Sequence, residues 1–169
     1  MAIKYIIMKK IFILENSRIV SELLKNNLIK EFNCSVTIFE NGDELIDNIM
    51  SNPSVIILNH FIDDEFDGNA LIILKKIKDL NKLMPVIVYS GQHNFQLAKE
   101  FLKIGAESYI DKIEESFLEN IINAVDDTFK HENPNYQRFS LNKIIGIYKN
   151  QVFGLGIFVL FLVFSLLSV

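Results

Sequence analysis

A chain of 169 residues is the size of about one domain and long enough to bury a real core. Residues 1–130 carry 14 Lys and Arg against 20 Asp and Glu, so the body is mildly acidic and lacks the basic patch that nucleic-acid binding through phosphates demands. Cys34 is the only cysteine, which excludes an intrachain disulfide and a cysteine zinc cluster; it reads as a small core residue at the start of a strand.

The opening stretch "MAIKYIIMKKIFILENSR" has its apolar run broken by Lys9 and Lys10 and ended by Glu15. It reads as the lead-in to a strand rather than an export signal, with Met8 a candidate natural start. Short β-rich runs then alternate with longer helical patterns. "KIFIL" (10–14) predicts a strand, and Ser17 is placed to cap a helix over 17–32, whose apolar residues at 19, 20, 23, 24 and 28 fall at helical spacing. "SVTIF" (35–39) is a second strand, and the turn pair Asn41-Gly42 leads into a helix over 43–50. "SVIIL" (54–58) is a third strand followed by a helix over 69–80. "PVIVYS" (85–90) opens on Pro85, where a missing N–H is tolerated, and a helix over 94–105 closes on Gly105. "ESYI" (107–110) is a short fifth strand, and 114–130 forms the last helix of the body.

Five βα units predict a parallel five-stranded α/β sheet, doubly wound, with helices on both faces. The near-continuous apolar strands agree, because strands covered on both sides lose their in–out alternation. The polar, Pro-containing "HENPNYQRFS" opens a linker over 131–151, so the body is expected to span 8–130.

The third strand ends on Asn59, and the acids Asp63, Asp64, Glu65 and Asp67 lie further out in the loop. The end of a strand in such a sheet is where reactive groups sit, so an amide there asks for explanation. Ser90-Gly91 ends the fourth strand, and "GAESYIDK" places Tyr109 and Lys112 around the fifth. In this order and register the chain resembles the CheY-like receiver domain of two-component response regulators. That resemblance implies a flavodoxin-like fold in which an aspartate at the third strand's end becomes an acyl phosphate. Mg²⁺ is held there by that aspartate and an acidic pair after the first strand, and a lysine pairs with the product.

The residues at those positions depart from the family. Asn59 stands at the acceptor position and Glu15-Asn16 at the acidic pair, so three carboxylates fall to one. An amide hydrogen-bonds but cannot become an acyl phosphate. The loop from Asn59 to Gly68 is one residue longer than the family norm, and Ile113 follows Lys112 where the family has proline, so no cis peptide is expected there. No catalytic or metal-binding residue is therefore assigned, and Mg²⁺ binding is expected to be weak or absent. Restoring acids at 16 and 59 together is expected to recover more than the sum of the two single changes, with the longer loop and Ile113 keeping it below an ordinary receiver. The remaining matches also have plain structural readings: Lys112 pairs with Glu15, Ser90 is a strand-end hydroxyl bonded to backbone, and Tyr109 is half-buried packing within a partner surface.

"VFGLGIFVLFLVFSLLSV" (152–169) holds 14 apolar residues, two Gly and two Ser, and no charge. As a helix it spans about 27 Å, close to a hydrocarbon core of about 30 Å. Summed insertion values for its apolar residues reach roughly −4 to −8 kcal/mol at most. Arg138, Lys143 and Lys149 precede it, which places the body in the cytoplasm by the positive-inside rule.

The sequence reading is a membrane-tethered pseudo-receiver, not an enzyme. It docks protein partners without phosphorylation and binds no nucleic acid. Two alternatives stay open: a phosphoacceptor using Asp63 or Asp64, and a structural subunit of a membrane complex.

Overall fold

The computed structural model describes residues 8–60, 70–91 and 94–131. Each apolar run becomes a strand: β1 (Lys10–Leu14), β2 (Ser35–Phe39), β3 (Val55–Asn59), β4 (Val86–Ser90) and β5 (Ser108–Asp111). They alternate with α1 (Arg18–Phe32), α2 (Gly42–Asn48), α3 (Ala70–Leu80), α4 (Phe95–Ile104) and α5 (Phe117–His131). Every ladder is parallel, and the strand order is β2-β1-β3-β4-β5. This is the doubly wound order whose connections reverse between β1 and β3, and the crevice beyond the carboxyl ends of those two strands is where such sheets bind ligands.

Strand alternation sorts the core into two faces. Phe12, Leu14, Ile56, Leu58, Val86 and Val88 share one buried cluster with Leu45 of α2, Ile73, Leu74 and Ile77 of α3, and Phe101 of α4. The alternate residues Ile11, Ile13, Val55, Ile57, Ile87 and Tyr89 are all fully buried on the other face. There Tyr89 meets Phe117 of α5, with ring centroids 5.4 Å apart. All residues of β3 and β4 are buried, as expected of central strands covered on both sides.

The helix ends follow local chemistry. Asn41 Oδ1 accepts from the Glu44 N–H at 2.8 Å, and Asn94 Oδ1 from the Leu97 N–H at 3.1 Å, so both asparagines cap their helices. Gly105 ends α4 at φ +118°, a backbone conformation that favours glycine. Ser17 occupies the cap position of α1, but its side chain makes no capping bond, contrary to the sequence reading. Its own N–H is instead drawn to Glu15 Oε1 at 2.7 Å.

The helix expected over 43–50 stops at Asn48 and tightens into a 3-10 turn, Ile49–Ser51. Asn52 follows in the left-handed region, and Pro53 after it disfavours helical backbone at the preceding residue. β3, β4 and β5 each start one residue later than the sequence suggested. β3 runs through to Asn59, which is its last residue, at the strand end where the sequence places it.

The five strands, α1 to α4 and α5 as far as Thr128 fall in one compact unit, Met1–Thr128. Apart from His131, which closes α5, the linker expected over 131–151 and the spanning helix expected over 152–169 lie outside the described residues, as does the loop carrying Asp63, Asp64, Glu65 and Asp67. Among the described residues, no helix is long and apolar enough to cross a membrane.

Candidate functional site

The strand register assembles the site. Leu14 pairs with Leu58, so Glu15 arrives beside Asn59, and Asn59 pairs in turn with Tyr89. Glu15, Asn59 and Tyr89 therefore form a row across the carboxyl ends of β1, β3 and β4. Their relative exposures are 1%, 5% and 0%. By alternation all three continue the face of Ile13, Ile57 and Ile87, which α5 reaches through Phe117. Lys112 follows β5 and extends the ladder, its N–H donating to the Ser90 carbonyl at 2.8 Å.

At the centre of the row is the Glu15 carboxylate. Asn59 Nδ2 donates to both its oxygens, at 3.1 Å each. The Ser17 N–H donates to Oε1 at 2.7 Å, and the Tyr89 hydroxyl donates to Oε2 at 2.5 Å. Lys112 Nζ lies 3.7 Å from Oε2 and 5.7 Å from the centre of the Tyr89 ring. A carboxylate offers about four lone-pair sites. Asn59 and Ser17 serve Oε1; Asn59, Tyr89 and Lys112 serve Oε2. The carboxylate is saturated by donors, and its charge is balanced by one lysine. Burial, and then the adjacent Glu15 charge and its hydrogen bond, push the Tyr89 phenol far above its ordinary range, so it keeps its proton and remains a donor.

Mg²⁺ demands a near-octahedral shell of hard oxygens. Of the four side chains gathered here only Glu15 is a carboxylate, its oxygens are taken by N–H and O–H donors, and Asn59 aims a donor inward where the ion would need an acceptor. The arrangement does not fit the metal. Among the described residues, no group of three or more His, Cys, Asp or Glu is placed to hold a metal ion.

The sequence reading singled out six positions, and the structure divides them. Glu15, Asn59 and Lys112 come together, including the expected Lys112–Glu15 pair. Asn16 lies in the bend between β1 and α1. Ser90 and Tyr109 fall on the α4 side of the sheet by alternation. There the Ser90 hydroxyl lies 3.4 Å from His60 Nδ1, a side-chain neighbour the sequence reading did not foresee. The His60 ring meets Phe101 edge-on at 5.6 Å, and Phe101 packs on Tyr109 at 5.8 Å, so Tyr109 is half-buried packing as expected. Burial lowers the His60 pKa, which keeps that imidazole neutral at pH 7. The peptide bond between Lys112 and Ile113 is trans, and Asp111 Oδ1 supports the turn by accepting from the Ile113 N–H at 2.9 Å.

The residue that sequence reasoning missed is Tyr89. Its signal was available in part: position 89 has the same parity as 87, but only the β3–β4 register places its hydroxyl on Glu15.

A parallel sheet ordered 2-1-3-4-5, with an acid, an amide and a lysine converging at its switch point, defines a receiver-type α/β domain. A family model described as the response regulator receiver domain matches residues 11–125. The chain belongs to that family, whose members serve two-component signalling. Solved structures agree on the fold. The receiver domain of the Francisella response regulator 1452 is 22% identical, with a TM-score of 0.64 over 74% of this chain and 99% of that one. The receiver domain of TorR, from the TMAO respiratory system, is 19% identical, with a TM-score of 0.65 over 74% of this chain and 99% of that one. A receiver domain protein from Clostridium thermocellum is 20% identical, with a TM-score of 0.64 over 74% and 97%. At these identities the likeness carries the fold alone. No curated protein matches the chain by sequence.

Proposed function

We propose that this receiver domain is a pseudo-receiver, tethered to the membrane by residues 152–169, that docks protein partners independently of phosphorylation. One observation carries the reading: at the end of β3, Asn59 donates to both oxygens of Glu15 where an acceptor carboxylate would stand. An amide in that position has no anionic oxygen with which to attack a phosphoryl group. The lysine that would pair with the product is committed to Glu15.

The docking face runs along α4, β5 and α5. Phe95, at the start of α4, is 85% exposed. It borders a shallow hollow lined also by Ala98, Tyr109, Asp111 and Glu114. An apolar surface with an acidic edge suits a partner segment carrying apolar and basic side chains. The membrane anchor rests on the uncharged tail, and the cytoplasmic orientation on Arg138, Lys143 and Lys149 before it.

The test is intact-mass measurement of the full chain after incubation with Mg²⁺ and acetyl phosphate. The expected result is no phosphoryl adduct. An adduct that disappears in Asp63→Ala or Asp64→Ala would replace this reading with that of a displaced acceptor.

A further inference from the structure

We propose that Tyr89 closes this site to divalent cations, as a third block separate from Asn59 and Asn16. The inference rests on the pseudo-receiver reading and deepens it. Asn59 and Asn16 each lack a carboxylate; Tyr89 acts differently, by consuming the one carboxylate that remains. Its hydroxyl donates 2.5 Å to Glu15 Oε2. A cation bound at that oxygen would have to displace the phenol from a position where it has no water to turn to, since Tyr89 is 0% exposed.

The ring cannot swing away without other losses. One side rests on Phe117 at the start of α5. Lys112 Nζ lies 5.7 Å from its centroid and holds Glu15 from a second direction. Its backbone is held in the last pair of the β3–β4 ladder, opposite Asn59, and its carbonyl accepts the His60 N–H at 2.8 Å. Restoring acids at 16 and 59 therefore returns ligands to the site but leaves the phenol between the cation and Glu15. The sequence reading, blind to this bond, expected those two changes to suffice for partial recovery.

The experiment uses the full-length chain in mild detergent, with Mn²⁺ as the probe and paramagnetic broadening of amide signals near residues 15, 59 and 112 as the readout. Three proteins are titrated: the unaltered chain, Asn16→Asp with Asn59→Asp, and the same pair with Tyr89→Phe, which keeps the ring against Phe117. Losing a hydrogen bond to a charged group corresponds to a tenfold or larger change in affinity, so the triple change should bind Mn²⁺ about tenfold tighter than the double. A second triple carrying Tyr89→Leu, with folding followed by circular dichroism, separates loss of the hydroxyl from loss of the fold. Equal affinity in the double and in a folded triple overturns the closure and leaves the pseudo-receiver reading standing. Site-localised Mn²⁺ binding by the unaltered chain contradicts both.

Discussion

The Tyr89 hydroxyl and the Glu15 carboxylate meet at 2.5 Å inside the protein, although 74 residues separate them in the chain. The bond makes Tyr89 a determinant of stability with a characteristic pH dependence. Tyr89→Phe leaves Glu15 Oε2 short of a donor and should cost about 1–3 kcal/mol in chemical unfolding at pH 7. Burial and then the Glu15 charge raise the folded pKa of the phenol. A raised folded pKa gives stability that is fully present below the unfolded value, about 10, and is lost as pH rises above it. Above pH 10 the unaltered protein should therefore lose up to about 1.4 kcal/mol per pH unit more than Tyr89→Phe, and paired urea titrations at pH 8 and pH 11 measure that difference.

Lys112 is a structural partner of Glu15 in this protein, so its removal should be felt with no phosphate present. Lys112→Met should destabilise by about 1–3 kcal/mol, less than for a fully enclosed pair, because the ammonium side chain stays 32% exposed. Lys103→Met, at an exposed position on α4, should stay within about 0.5 kcal/mol of the unaltered chain in the same thermal melts.

The sheet was legible in the sequence because each strand is a short apolar run and each connection has a helical period. The acceptor position was legible too, since Asn59 follows four apolar residues and Lys112 sits in a recognisable octapeptide. The donor shell of Glu15 was not. It depends on which strands are neighbours and in what register, and nothing local to "PVIVYS" distinguishes a phenol buried against a carboxylate from one packed among apolar side chains. The lost cap at Ser17 has the same origin: Glu15 draws the Ser17 N–H to itself, a contact the cap rule does not anticipate.

Asn59→Asp tests what the amide contributes. It removes the donor shared by both Glu15 oxygens and sets a second carboxylate beside the first. The variant should be less stable by about 2–4 kcal/mol at pH 7. The two carboxylates repel only when both are ionised, so the loss should be smaller at acid pH than at neutral pH. Unfolding of both proteins at pH 4 and pH 7 should show the gap widening with pH.

The uncharged segment 152–169 makes its own prediction about location. The full chain should remain with membranes through a carbonate wash, while a chain ending near Lys130 should be soluble and folded. Protease added outside spheroplasts should leave the body intact. Release of the intact protein by carbonate would remove the anchor.

The most direct test of the central claim is Mg²⁺-dependent binding of beryllofluoride, a mimic of the phosphoryl group, to the full-length chain. It is followed by the amide signals of Ser90 and Lys112. With Asn59 at the acceptor position and Glu15 saturated by Ser17, Asn59, Tyr89 and Lys112, those signals should not move on adding the mimic with Mg²⁺. Saturable shifts at Ser90 and Lys112 that require both Mg²⁺ and beryllofluoride would contradict the account.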